Sequence, residues 1–206
     1  KPLTSWAAAA VDDRPTPLWY GRRHAHAPRL LTVQPRDGRL VLVAVNDTDE
    51  AWSAPVRAER RTFEGEVLHT EVAELSVPAR SVAEYEPTRE LFAARDTRRE
   101  LLVATLGDVR VVRPFREDVH LSYDPEPLTA VATPVEGGYQ VRVRATSFAR
   151  DVSVLADRVA SDAEVDDMLV DLLAGEEHTF TMRTAQKVDP SEMASAPALS
   201  SANSLH

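Results

Sequence analysis

Glu136-Gly137-Gly138-Tyr139-Gln140-Val141-Arg142-Val143-Arg144-Ala145 is the stretch whose reading decides the fold. A Gly-Gly turn opens it. Tyr139, Val141, Val143 and Ala145 then alternate with Gln140, Arg142 and Arg144. Period-two alternation of this kind is a strand with one buried and one wet face. Leu128 to Thr133 precedes it, and Val152 to Ala156 and His178 to Met182 follow, as further strands of the same small β module. At roughly 65 residues, that module is marginal by surface-to-volume scaling and is expected to lean on a neighbour.

The same period runs upstream. Leu31 and Val33 alternate toward Leu40, Leu42 and Ala44 across a hairpin turned at Asp37-Gly38. Asn46-Asp47-Thr48-Asp49 is a turn cluster. Val56, Ala58 and Arg60 continue a strand that bends at Glu64-Gly65, and Val67 to Val77 is the next. Val82 to Tyr85 follows the Pro78 turn, and Leu101 to Ala104 closes on Val109 to Val111 around Gly107-Asp108. About seven short strands with regular turn signals predict an immunoglobulin-like sandwich. The fold class expected is therefore all-β, with two consecutive immunoglobulin-like sandwiches.

The two ends differ in character. Thr16-Pro17 is a helix start, and Leu18 to His26 is the helix, stopping before Pro28. Alone, so short a helix is marginal in water, so Trp19 and Tyr20 imply a surface to pack on. Ala185 to His206 is Ser/Ala/Pro-rich without period and is expected to be a flexible or extended tail. The first residue is Lys1 and the first methionine is Met168, so the sequence reads as a processed, trimmed or partial product.

Composition excludes several functions. A net charge of -9 argues against nucleic acid, whose phosphates need a basic face. The absence of cysteine removes disulfides, thiolate metal sites and thiol nucleophiles. No apolar run approaches the length of a membrane span, and no cleavable leader is visible. The absence of cysteine and of a visible leader slightly favours the cytoplasm, with the location of a longer protein unknown.

The search for chemistry finds no catalytic motif. Gly-x-Ser-x-Gly, a phosphate-binding glycine loop and His-Glu-x-x-His are all missing. His24-x-His26 resembles a metal pair, but side chains two apart on a helix diverge by about 200° and read as polar surface. Asp162, Glu164, Asp166, Asp167 and Asp171 offer oxygens to calcium, yet they lack the EF-hand spacing and its central glycine, so they read as a solvated loop. Trp52, Tyr123, Tyr139 and Phe148 are candidates for a sugar platform and, more simply, for core. Catalytic residues, metal ligands and cofactors are each expected to be none.

Several motifs together resemble a known family. Thr4-Ser5-Trp6-Ala7, Val11-Asp12 and Arg14-Pro15-x-Pro17-Leu18-Trp19-Tyr20, running into Arg22-Arg23, are similar to the end of the barrel in family-two glycoside hydrolases of the β-mannosidase type. Ala27-Pro28-Arg29-Leu30-Leu31 resembles that family's exit into its first C-terminal sandwich, and Asn46-Asp47-Thr48 a turn of that sandwich. Asp166-Asp167-Met168-Leu169-Val170-Asp171-Leu172-Leu173-x-Gly175-Glu176 resembles an Asp-Asn-Phe-Phe-Asp-Leu-Leu-Pro-Gly-Glu segment, with Asp167, Met168-Leu169 and Ala174 as departures.

The resemblance implies a division into four parts. Residues 1–27 would be a barrel remnant with its last helix, 28–115 an immunoglobulin-like sandwich, 116–184 a smaller one, and 185–206 a tail. It also implies a non-catalytic accessory region, because the family's acid/base glutamate follows an asparagine, whereas Asn46 and Asn203 precede Asp47 and Ser204. The implied partner is an upstream barrel of the same polypeptide, with Trp6 as a candidate substrate-binding residue at its rim, near a mannoside. The parent would hydrolyse terminal β-mannosides, and the region would buttress the barrel or shape its entrance or a dimer contact. A carbohydrate-binding module and an immunoglobulin-like spacer of a surface protein are the alternatives.

Overall fold

The structure, a computed structural model, describes residues 15–205. It divides into two compact units: Ala25–Ser122, and one that joins the described part of Lys1–His24 to Tyr123–His206. Both are antiparallel sandwiches, so the all-β expectation holds.

In the first unit β1 (Arg29–Arg36), β2 (Arg39–Asn46) and β5 (Ser81–Tyr85) form one sheet in the order β1-β2-β5. The second sheet has the order β4-β3-β6-β7, from β3 (Trp52–Thr62), β4 (Val67–Val77), β6 (Glu100–Leu106) and β7 (Val109–Pro114). The β1–β2 hairpin turns where the sequence places it. Asp37 and Gly38 both have positive φ, 48° and 78°, the mirror-image turn that matches strand twist. Leu31, Leu42, Val56, Leu102 and Leu106 meet between the sheets, with Trp52 buried among them. Arg60 and Glu100 end the core with a buried pair at 2.6 Å, and the other oxygen of Glu100 accepts the Arg95 and Asp96 amides.

Asn46 closes this unit. Its side-chain amide donates to the carbonyls of Glu50, Val77 and Pro78, and its oxygen accepts the amide and hydroxyl of Thr48. It has no exposed surface, so every bond replaces one it would make to water. On β4, Glu71 accepts the amide and hydroxyl of Thr88, the Tyr85 hydroxyl and His69 Nε2. Burial pushes its carboxyl up, but these bonds outweigh burial and hold it below the usual glutamate value.

The second unit pairs β11 (Glu164–Val165), β13 (Glu177–Arg183), β9 (Gly138–Ala145) and β8 (Leu128–Val135) in that order. Opposite lies β12-β10-β14, from β12 (Val170–Leu172), β10 (Ala149–Val154) and β14 (Leu199–Ser200). Val141, Val143, Phe180 and Met182 of one sheet and Val152 and Val154 of the other share one core.

Both ends of the described residues enter that core. α1 (Pro17–Ala25) contributes Tyr20, only 3% exposed. The segment expected to be a flexible or extended tail is instead folded in. α2 (Pro190–Met193) is capped by Asp189, which accepts the Ser191 amide, and Met193 is fully buried. β14 pairs with β10, and Asn203 donates to the carbonyls of Asp124 and Phe148 while accepting the Arg150 amide. The physical reason is the marginal size of the sandwich, which gains apolar burial and two more hydrogen-bonded segments from its ends.

Two outcomes are expected. Asn46→Ala leaves three carbonyls short of a donor, and urea unfolding should show a loss of about 2 kcal/mol. The lowered carboxyl of Glu71 stabilises the fold above the unfolded-state value, and that contribution is lost as pH falls through the folded one. Glu71→Gln should therefore flatten the fall in thermal stability as the solution is acidified below the usual glutamate range.

Candidate functional site

The sequence points to two places: the aromatic helix and the acidic segment from Asp162 to Asp171. The structure brings them together. α1 has no acidic residue in its first turn and ends on Arg22, Arg23 and His24, the polarity that suits a helix C-terminus. Nine residues are too few for an isolated helix, so its order comes from docking.

Tyr20 supplies the apolar part of the seat and one bond, its hydroxyl donating to the Val165 carbonyl at 2.6 Å. Burial pushes the Tyr20 phenol up, which keeps it a neutral donor. Arg23 extends over the Trp19 and Tyr20 rings, at 5.1 and 5.3 Å from their centroids. Its guanidinium then donates to the Asp166 carbonyl at 3.0 Å and to Asp167 Oδ1 at 2.6 Å. His24 Nε2 lies 2.8 Å from the same oxygen, and the Met168 amide donates to it at 2.8 Å. One carboxylate oxygen thus gathers three groups from two segments 143 residues apart or more.

Three of the other acids also accept hydrogen bonds from the chain. Asp166 accepts the Thr181 amide and Asp171 the Asp151 amide. Asp162 accepts the Thr184 hydroxyl at 2.6 Å and the Ala185 amide, bonds that hold its carboxyl low. Glu176 accepts the Leu173 amide and closes the turn around Gly175. The acidic run stays largely at the surface, with Asp162, Glu164 and Asp166 exposed, as a solvated loop would be. It is also a set of acceptors for nearby amides and for α1.

A cleft of about 290 Å³ lies beside this seat, bordered by Thr16, Tyr20, Leu155, Asp157, Arg158 and Glu164. In the first unit a second cavity, of about 610 Å³, is bordered by Arg39, Leu40, Glu86, Thr88, Arg89 and Phe92.

The remaining candidates fall as follows. Trp52, Tyr139 and Phe148 are buried, and the Tyr139 hydroxyl both donates to the Val188 carbonyl and accepts the Val188 amide. Tyr123 is half-buried against Phe148, with ring centroids 6.2 Å apart. These four are core and contact residues rather than a sugar platform. Trp19 is 38% exposed, next to Leu18 at 40%, and these make a small apolar patch on α1. His24 faces Asp167, while His26 is exposed. Trp6 lies outside the described residues. Sequence reasoning named Asp167 and Asn203 but missed what they do, because the partners of each are distant in sequence.

No protein-family model matches the chain, and no curated protein matches it in sequence. Solved structures do match. The β-D-mannosidase of Dictyoglomus thermophilum is similar over 89% of this chain and 23% of its own, with a TM-score of 0.64 at 19% identity. An exo-chitosanase of Amycolatopsis orientalis is similar over 81% of this chain and 25% of its own, with a TM-score of 0.52 at 20% identity. The chain spans about a quarter of the length of the structures it matches. At such identities the likeness is one of fold, and the fold implied by the sequence resemblance is the fold these comparisons find.

Proposed function

We propose that this chain is the non-catalytic C-terminal accessory region of a glycoside hydrolase of family two, β-mannosidase type, and that it buttresses the catalytic barrel. The observation that carries this reading is the fold match over most of this chain and about a quarter of a β-mannosidase chain. The occupied carboxylates support it, since Asp162, Asp166, Asp167 and Asp171 each accept hydrogen bonds from the chain itself. A retaining or inverting glycosidase needs two carboxyl groups facing a sugar across a cleft.

The helix supplies the means of support. Tyr20 and Arg23 fix it to the sandwich, and Leu18 and Trp19 keep part of their surface exposed beside them. In the intact protein that apolar patch meets the barrel, and Trp6 stands at the rim near the mannoside. No helix among the described residues is long and apolar enough to cross a membrane.

The chain should give no turnover of an aryl β-mannoside, measured by release of the aryl group. Hydrolysis that disappears on replacing one carboxylate of this chain would sink the proposal. Tyr20→Phe leaves the buried Val165 carbonyl without its donor and should cost about 1–2 kcal/mol. Hydrogen exchange should then quicken in α1 before it quickens in β9.

A further inference from the structure

β8 is the edge of its sheet, and among the described residues it pairs with β9 alone. Native edge strands are usually guarded by charged side chains. β8 has none: Leu128-Thr129-Ala130-Val131-Ala132-Thr133-Pro134-Val135 is the one strand of five or more described residues without a charge. Val131 is 57% exposed and Val135 40%.

The hydrogen-bond alternation shows what this edge offers. The Thr146 amide donates to the Pro127 carbonyl at 2.7 Å, in the register that sets Leu128 against Ala145 and Val131 against Arg142. Bonded and non-bonded pairs alternate in an antiparallel ladder. Thr129, Val131 and Thr133 therefore turn their backbone groups toward β9, and Leu128, Ala130 and Ala132 turn theirs to the open edge. Pro134 falls in the open set, where its missing amide takes nothing from the ladder. α2 lies beside β8, with Met193 in the same core as Ala130 and Ala132, and no backbone hydrogen bond joins it to β8 among the described residues.

We propose that β8 is a self-association edge, pairing antiparallel with β8 of a second copy about a two-fold axis through Val131. The occupant is indicated by the sequence of the edge itself. Thr129-Ala130-Val131-Ala132-Thr133 is a palindrome, and a two-fold contact requires a self-complementary surface. Reversed on itself, it sets Thr129 against Thr133, Ala130 against Ala132, and Val131 against its own copy. Ala130 and Ala132 of each chain then exchange about four main-chain hydrogen bonds. Threonine and valine pairs add to the contact on the exposed face. Neutrality matters as well, because a chain of net charge -9 repels its copies everywhere that its acids meet.

Sedimentation of the whole chain tests this. Wild type should shift from 22.7 kDa toward about twice that mass by ~0.1 mM. Val131→Lys or Val131→Glu, each setting like charges face to face, should weaken the dimer at least tenfold, and mixing the two variants should restore it. In wild type, the Ala130 and Ala132 amides should gain protection from exchange as concentration rises. A monomer at ~0.1 mM, a dimer indifferent to both charges, or amides whose exchange ignores concentration would each overturn the proposal.

Discussion

The Asp167 carboxylate ties the second unit together. Its Oδ1 accepts the Met168 amide from its own segment and meets Arg23 and His24 of α1. The bonds matter because of what they hold. A helix of nine residues has too few internal hydrogen bonds to offset the cost of ordering it, so it exists where packing favours it. Tyr20 provides that packing, and Asp167 adds the bonds from Arg23 and His24.

The rest of the molecule obeys a related constraint. Both units are small, and a small sandwich is weakened by any buried polar group left without a partner. The two asparagines show the solution. Asn46 and Asn203 are each buried, one in each unit, and each links a turn to carbonyls of other segments. Glu100 does the same for a loop beside β6, accepting two amides and one guanidinium N–H of Arg60 at once. These polar side chains act as brackets that hold loops against the sheets.

Such an arrangement suits support better than chemistry. The acids that could have served as ligands or bases accept bonds from amides and from α1, and the aromatics suited to stacking on a sugar are mostly inside the cores. What stays exposed and unused is of another kind. It includes the apolar patch at Leu18 and Trp19, the uncharged strand edge at β8 and single valines such as Val72 and Val119. The patch and the edge are the surfaces that the proposed barrel contact and the proposed self-association would use.

The sequence by itself determined the strands and their turns. Alternation at Tyr139 to Ala145 and the Asp37-Gly38 signal are local, since a strand's faces and a turn's positive φ depend on adjacent residues. It determined the helix too, because the Thr-Pro start and the stop before Pro28 are local signals. Tertiary structure decided what those elements do. Met193 and Asn203 sit in a stretch without period, so only their burial against β8 to β10 reveals them as core and bracket. Asp167 looks in sequence like any acid in an acidic run. It becomes the seat of α1 only when folding brings Arg23 and His24 within hydrogen-bond reach, and no short window of sequence contains both sides of that contact.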